Sequence, residues 1–301
     1  MDGPLTRMLA SRTPLILDGA MGTELQRREV DTGLPLWSAN ALMVHPEVIL
    51  QIHKDYIEAG ADIITTNTFR TTRRTFRRAS LPDRSLQLTK NAIALARQAR
   101  EAFPDRDILL AGSMAPLEDC YRPDLVPLDG ELLDEHSELA RRLADGGVDF
   151  ILVETINTVR EAYAACKAAK ATGKEVVVSF ICNNEARLLS GESLRDAIVS
   201  VGELSPTMFS INCVSPRFMQ PALDELKRST QLPYMLYGNI GLPESNKEGW
   251  EFTHDVSEDD YAGYALDWHR NGASIIGGCC GTTPAYMRSV ASKFKGHSAI
   301  T

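Results

Sequence analysis

Eight short runs of apolar and β-branched residues recur along the chain, separated by longer stretches of helical periodicity, and this alternation restricts the fold more than any other feature. The runs are Leu15–Asp18, Asp62–Asn67, Ile108–Ser113, Phe150–Glu154, Val176–Cys182, Met208–Cys213, Tyr234–Asn239 and Ser274–Gly278. They are continuously apolar rather than alternating, as suits parallel strands covered on both faces. His45–Gly60, Ser85–Ala102, Asp134–Gly146, Arg160–Gly173 and Asp259–Gly272 read as helices between them. The first of these carries an early proline and stops at a glycine. Ala59-Gly60-Ala61-Asp62 is echoed by Gly146-Gly147-Val148-Asp149 and Asn271-Gly272-Ala273-Ser274, so a glycine repeatedly closes a helix before a strand. No Pro/Gly/Ser-rich linker interrupts the pattern, and residues 1–301 read as one unit. The expected fold is α/β, a single-domain (β/α)8 TIM barrel, with a doubly wound open sheet as the alternative.

In a barrel the strands' C-terminal ends converge on one face, where such folds keep their sites. The residues placed there are Asp18, Asn67, Ser113, Glu154, Cys182, Cys213, Asn239 and the adjacent pair Cys279–Cys280. Acids, amides and thiols dominate that set. Neighbouring thiols make a strained disulfide, whereas a soft metal ion with a third thiolate explains them, and Cys213 at the end of the sixth run is the best third ligand. Three thiolates suit zinc and leave one tetrahedral position open, the layout of a catalytic site. A substrate thiol entering that position would be deprotonated by the metal, which suits alkyl transfer to sulfur. Two other readings stay open: small buried thiols, and a phosphate cradle in the Gly-Gly-x-x-Gly turn. Cys120, Cys166 and Cys182 read as ordinary packing residues.

Bulk properties exclude some partners. The formal net charge of −8 argues against nucleic acid or an anionic membrane as the main partner. No apolar run approaches the roughly 18 residues of a membrane span, and the N-terminus lacks a signal-peptide layout. Six cysteines without regular spacing do not form a disulfide framework, so the expected compartment is the reducing cytoplasm. Homo-oligomer formation is open.

Asp18-Gly-Ala-Met-Gly-Thr-Glu24, Leu36-Trp-Ser-Ala39, Thr66-Asn-Thr-Phe69, Val153-Glu-Thr-Ile156, Ile211-Asn-Cys213 and Gly277-Gly-Cys-Cys-Gly-Thr-Thr-Pro284 together resemble the homocysteine S-methyltransferase family. That family includes S-methylmethionine- and betaine-dependent enzymes and the homocysteine module of cobalamin-dependent methionine synthase. The resemblance runs from about residue 13 to residue 295 and implies a zinc-bearing barrel that methylates homocysteine to methionine. It implies Cys213, Cys279 and Cys280 as zinc ligands, with the homocysteine thiolate as the fourth. In methionine synthase an asparagine near the end of strand seven fills the fourth position without substrate, and Asn239 lies at the matching place. The family uses a glutamate to hold the substrate ammonium, here Glu154, whose buried charge would otherwise be costly. The N–H groups of the Asp18–Gly22 turn, with Gly19, Ala20 and Met21, would meet the substrate carboxylate. Asn67, Ser113 and Trp37 complete the expected substrate site.

The betaine-dependent branch places aromatic residues where this chain has Arg70 and Thr155, so a full quaternary-ammonium cage is not assembled. Trp37 can still cover a sulfonium, and the expected donor is S-methylmethionine or S-adenosylmethionine. The alternative within the family is a module that takes methyl from a corrinoid protein or betaine. Arg70, Arg73, Arg74, Arg77 and Arg78 recur at helical spacing. They read either as an ion-paired face or as a docking surface for an acidic partner or anionic donor. From other classes, the competitors are a non-catalytic zinc or thiol sensor and an aldolase or phosphate-sugar isomerase. The last would want a lysine at a strand end, and no strand end supplies one.

Overall fold

Each of the eight apolar runs forms a strand in the computed structural model, which describes residues 2–12, 14–243, 250–252 and 256–297. A short helix α1 (Pro4–Ser11) precedes β1 (Leu15–Ile16), α2 (Gly22–Arg27), α3 (Ala41–Val44) and α4 (Pro46–Glu58). Then follow β2 (Ile63–Thr65), α5 (Arg73–Arg78), α6 (Ser85–Glu101), β3 (Leu109–Met114), α7 (Asp129–Asp145), β4 (Phe150–Ile156) and α8 (Val159–Lys170). The order continues through β5 (Glu175–Phe180), α9 (Leu194–Gly202), β6 (Met208–Asn212), α10 (Gln220–Ser229) and β7 (Tyr234–Gly238). A hairpin of β8 (Gly241–Pro243) and β9 (Trp250–Phe252) leads to α11 (Glu258–Arg270), β10 (Ile275–Gly278) and α12 (Pro284–His297).

The eight-stranded sheet runs β1-β10-β7-β6-β5-β4-β3-β2, every pairing parallel. A parallel bridge from Leu17 to Ile63, with the Asp18 N–H donating to the Ile63 carbonyl at 2.9 Å, joins its two edges. The result is a closed single-domain α/β barrel, as the alternation of strands and helices demands; the open-sheet alternative falls with that closure.

Two apolar layers follow from strand periodicity. One side of each strand packs on the helices: Ile151 and Val153 meet the same core as Ala162 and Ala165 of α8. The other side fills the barrel, where Leu15, Ile63, Leu109, Phe150, Leu152, Val177, Met208, Met235 and Ile275 form a separate cluster. Leu5 of α1, fully buried, joins that inner cluster with Met8 and Leu9 packed against it. The N-terminal helix therefore plugs one end of the barrel. Glu175, at the start of β5, accepts hydrogen bonds from the Leu5 and Thr6 N–H groups at 2.8 and 2.9 Å, satisfying first-turn donors of that helix. Toward the other end the inward residues turn polar, with Thr65, Ser113, Glu154, Ser179, Asn212 and Tyr237 bonded to one another or to Asp18.

Some boundaries differ from the sequence reading. Helix α7 starts at Asp129 rather than Asp134; Gly130 in its first turn hides the start. The β8–β9 hairpin was not expected, because strands of three residues carry too little periodicity to register. The arginine-rich helix begins only at Arg73, since Thr72 caps it by accepting from the Thr75 N–H at 3.2 Å. Arg70 therefore lies outside it. No helix among the described residues is long and apolar enough to cross a membrane.

Candidate active site at the barrel mouth

The polar end of the barrel opens into a cavity of about 600 Å³. Its wall includes Asp18, Gly19, Ala20, Met21, Trp37, Asn67, Ser113, Glu154, Cys213, Cys279 and Cys280, so the expected substrate residues and thiols share one space.

The three sulfurs come from two strand ends. Cys213 follows β6 with φ of +54°, a left-handed conformation unusual for a residue with a side chain. Cys279 and Cys280 follow β10, and the Cys279 N–H donates to the Gly238 carbonyl of β7 at 2.8 Å. A Cβ at Gly278 would collide with Thr282, whose hydroxyl donates to the Cys279 carbonyl at 2.7 Å and tightens the turn. The three Sγ atoms all lie within 4.8 Å of one another, and those of Cys213 and Cys279 are 2.7 Å apart. The Cys279 thiol is held well below its usual pKa because its Cys213 and Cys280 neighbours hydrogen-bond to it. Cys213, donating to its partners, is pushed up. Such a set holds concentrated negative charge only with a cation among the sulfurs. Asn239 is buried, and its Oδ1 has no hydrogen-bond partner among the described residues, although the residue is not part of the cavity wall.

Glu154 faces the same cavity. Ser113 donates to its Oε1 at 2.5 Å and Tyr237 to its Oε2 at 3.1 Å. Burial raises its pKa to about 7, with the Cys279 charge adding to the effect and the hydroxyl donors opposing it. Asp18 accepts from the Thr65 N–H at 2.7 Å and the Thr65 hydroxyl at 2.9 Å. Burial nevertheless lifts it to about 8, with the Glu154 charge contributing. Two buried carboxyls thus want a cation between them.

The Asp18–Gly22 turn sits beside these acids. Its Ala20 N–H donates to Thr282 Oγ1 at 3.3 Å, while those of Gly19, Met21 and Gly22 have no partner among the described residues. Tyr56 donates to the carbonyls of Ala20 and Thr282, and the Gly281 N–H donates to Thr23 Oγ1 at 2.9 Å. The turn and the cysteine loop are thereby clamped together. Trp37 packs so closely over Gly22 that a Cβ there would overlap the indole. Asn67 lines the cavity but uses its amide N–H on the Ser38 carbonyl at 2.9 Å, anchoring the loop that carries Trp37.

Several contributors carried no signal in the sequence. Cys120, read as packing, is buried in the cavity wall with Tyr121 and Arg122, on the segment joining β3 to α7. Loop position is set by distant contacts: Glu161 accepts from the Leu117 N–H at 2.9 Å, and Asn157 donates to the Cys120 carbonyl at 2.8 Å. Arg74 and Arg78 pair with the buried Glu118 at 3.2 and 2.5 Å, and Arg70 donates to the Glu118 carbonyl at 2.9 Å. With Arg73 on Glu138 at 2.7 Å, Arg73, Arg74 and Arg78 form an ion-paired face of which Arg73 and Arg78 remain exposed. Cys166 and Cys182 are packing residues of the helix-facing core, as expected. Cys182, although at a strand end, stays out of the cavity. Asn212 had a weak signal, since it stands beside Cys213, and Tyr237 a weaker one, two positions before Asn239.

The model of the family described as homocysteine S-methyltransferase matches residues 15–294. Homocysteine S-methyltransferase 3 of Zea mays is 30% identical over 92% of this chain and 88% of its own length. Selenocysteine Se-methyltransferase of Brassica oleracea var. italica is 31% identical over 91% of this chain and 87% of its own. The metallated form of the homocysteine methyltransferase MmuM from Escherichia coli aligns with a TM-score of 0.84 at 30% identity, covering 96% of this chain and 99% of that one.

Proposed function

The chain belongs to the homocysteine S-methyltransferase family, and from that premise we propose how its mouth carries out the reaction. The protein is an enzyme that transfers a methyl group to the sulfur of homocysteine, and the product of that transfer is methionine. A Cys213–Cys279–Cys280 triad could hold a metal. We assign that metal as zinc, because three soft thiolates with one open position suit it. The orphaned Oδ1 of Asn239 supports that residue as the ligand that closes the site when substrate is absent. Zinc, when bound, would supply the charge that keeps the homocysteine sulfur deprotonated near neutral pH.

The remaining roles belong to side chains. Glu154, aimed by Ser113 and Tyr237, accepts the substrate ammonium, and Asp18 adds a second anion. The N–H groups of Gly19 and Met21 face the carboxylate, beside Ala20. Trp37, Phe69 and Tyr121 wall the outer cavity and exclude water around the donor. We propose a sulfonium donor such as S-methylmethionine or S-adenosylmethionine, whose positive charge suits aromatic faces. As the homocysteine sulfur bonds to the methyl carbon, the donor's carbon–sulfur bond breaks and its charge is quenched. Residues 1–301 serve as one homocysteine-binding unit in this reading.

The observation that carries the assignment is the meeting of three cysteine sulfurs and a buried, hydroxyl-held glutamate in one cavity. The test supplies homocysteine to the zinc-loaded enzyme with S-methylmethionine, S-adenosylmethionine, betaine and methylcobalamin in turn. Methionine is expected from a sulfonium; turnover with betaine or methylcobalamin alone overturns the donor. Cys279→Ala should lose zinc and activity together, and undiminished zinc content refutes the ligand set.

A further inference from the structure

Glu154 and the cysteines stand on different strands, and one buried side chain reaches both. Asn212 ends β6 immediately before Cys213 and is fully buried. Its Oδ1 accepts from the Thr155 N–H at 3.0 Å and the Ser179 hydroxyl at 2.7 Å. Its Nδ2 donates to Thr155 Oγ1 at 2.7 Å and to Cys279 Sγ at 3.9 Å. A backbone N–H can only donate, so the amide oxygen must face Thr155 and the nitrogen must face the sulfur. Every hydrogen-bonding position of the amide is in use.

What these contacts hold is irregular. Val153 registers with Val178 but Ile156 with Phe180, so β4 carries one residue more than β5 across that interval. Glu154 faces the barrel interior with Phe150 and Leu152 by ordinary strand alternation. The extra residue after it returns Ile156 to the helix side with Ile151 and Val153. Thr155 absorbs the change at φ of +60°, a region that β-branched residues avoid. Such a conformation persists only where its surroundings hold it, and the Asn212 amide bonds both the backbone and the hydroxyl of that residue.

We propose that Asn212 is a positioning residue that fixes the β4 bulge and orients the Cys279 sulfur, so that the amino-acid clamp and the thiolate set keep one spacing. The inference rests on the assignment of Glu154 and the three cysteines made above. Its test compares Asn212→Ala and Asn212→Asp with two reference variants, Cys279→Ala and Glu154→Gln. The readouts are zinc retention against a competing chelator, the homocysteine KM, kcat, and folding by circular dichroism.

Asn212→Ala is expected to weaken zinc retention and raise the homocysteine KM, each by about tenfold or more. Asn212→Asp keeps the acceptor for the Thr155 N–H but loses the donor to sulfur. Zinc retention should therefore fall while the homocysteine KM stays within about twofold of the parent. If the alanine variant fails to fold, the aspartate variant decides alone. Unchanged zinc retention in folded Asn212 variants, with both references responding, overturns the inference. If instead Cys279→Ala keeps its zinc or Glu154→Gln keeps its KM, the underlying site assignment fails.

Discussion

Burial sets the chemistry of the mouth residue by residue. Glu154 has a pKa of about 7 because the cavity strips its water, and the substrate ammonium would return it to the charged form. Glu154→Gln should raise the homocysteine KM by roughly tenfold or more, the scale of a hydrogen bond to a charged group. In the parent, the same KM should climb as pH falls below about 7 and Glu154 takes up a proton; steady-state kinetics on the glutamine variant should show that dependence flattened. Asp18 carries a related cost. Its folded pKa, about 8 against an ordinary 3.8, favours the neutral acid, so its stabilising contribution is complete below the ordinary value and lost as pH rises through 8. Thermal melts of ligand-free Asp18→Asn should therefore exceed those of the parent by a margin that widens from pH 6 to pH 9, while homocysteine binding weakens. Equal margins across that range would refute the assignment of the charge. Trp37, Thr155 and Cys213 all hold left-handed backbone in the cavity wall, and strain of this kind gathers where geometry serves a site.

At the scale of elements, two segments outside the barrel strands do most of the shaping. Helix α1 plugs the barrel end remote from the cavity through Leu5, held by Glu175 at its first turn. Leu5→Ala should cost about 2–5 kcal/mol, the range for emptying a packed leucine site; urea denaturation measures it, and a loss below 1 kcal/mol would mean the plug is loosely packed. The segment joining β3 to α7 brings Cys120, Tyr121 and Arg122 to the cavity, and its hold depends on Glu118, buried between Arg74 and Arg78. Two arginines of a stripe that looks like a docking surface in one dimension, Arg74 and Arg78, thus tether a cavity wall through Glu118. Spacing alone could not choose between these, because both need the same helical repeat.

Across the whole molecule, the cysteines stand at the ends of strands whose pairing is complete without them. The barrel core of Phe150, Leu152, Val177 and Met235 does not require a metal to close. Chelation should abolish methyl transfer and leave the circular dichroism spectrum essentially unchanged, with zinc restoring activity; metal-dependent zinc modules unfold instead. Loss of helical signal on chelation would show the triad to be structural. The sequence by itself determined the alternation of eight strands with helices and which residues stand near the mouth ends of those strands. Parallel strands buried on both faces leave a run of apolar residues that ends where the polar mouth begins, and Asp18, Glu154, Cys213 and the Cys279–Cys280 pair stand near those ends, although β4 itself runs two residues beyond Glu154. Tertiary structure alone decided the bulge at Thr155, the bridge from Asn212 to Cys279, and the arrival of Tyr121. These depend on register between strands and on contacts between residues tens of positions apart, and neither leaves a period in the chain.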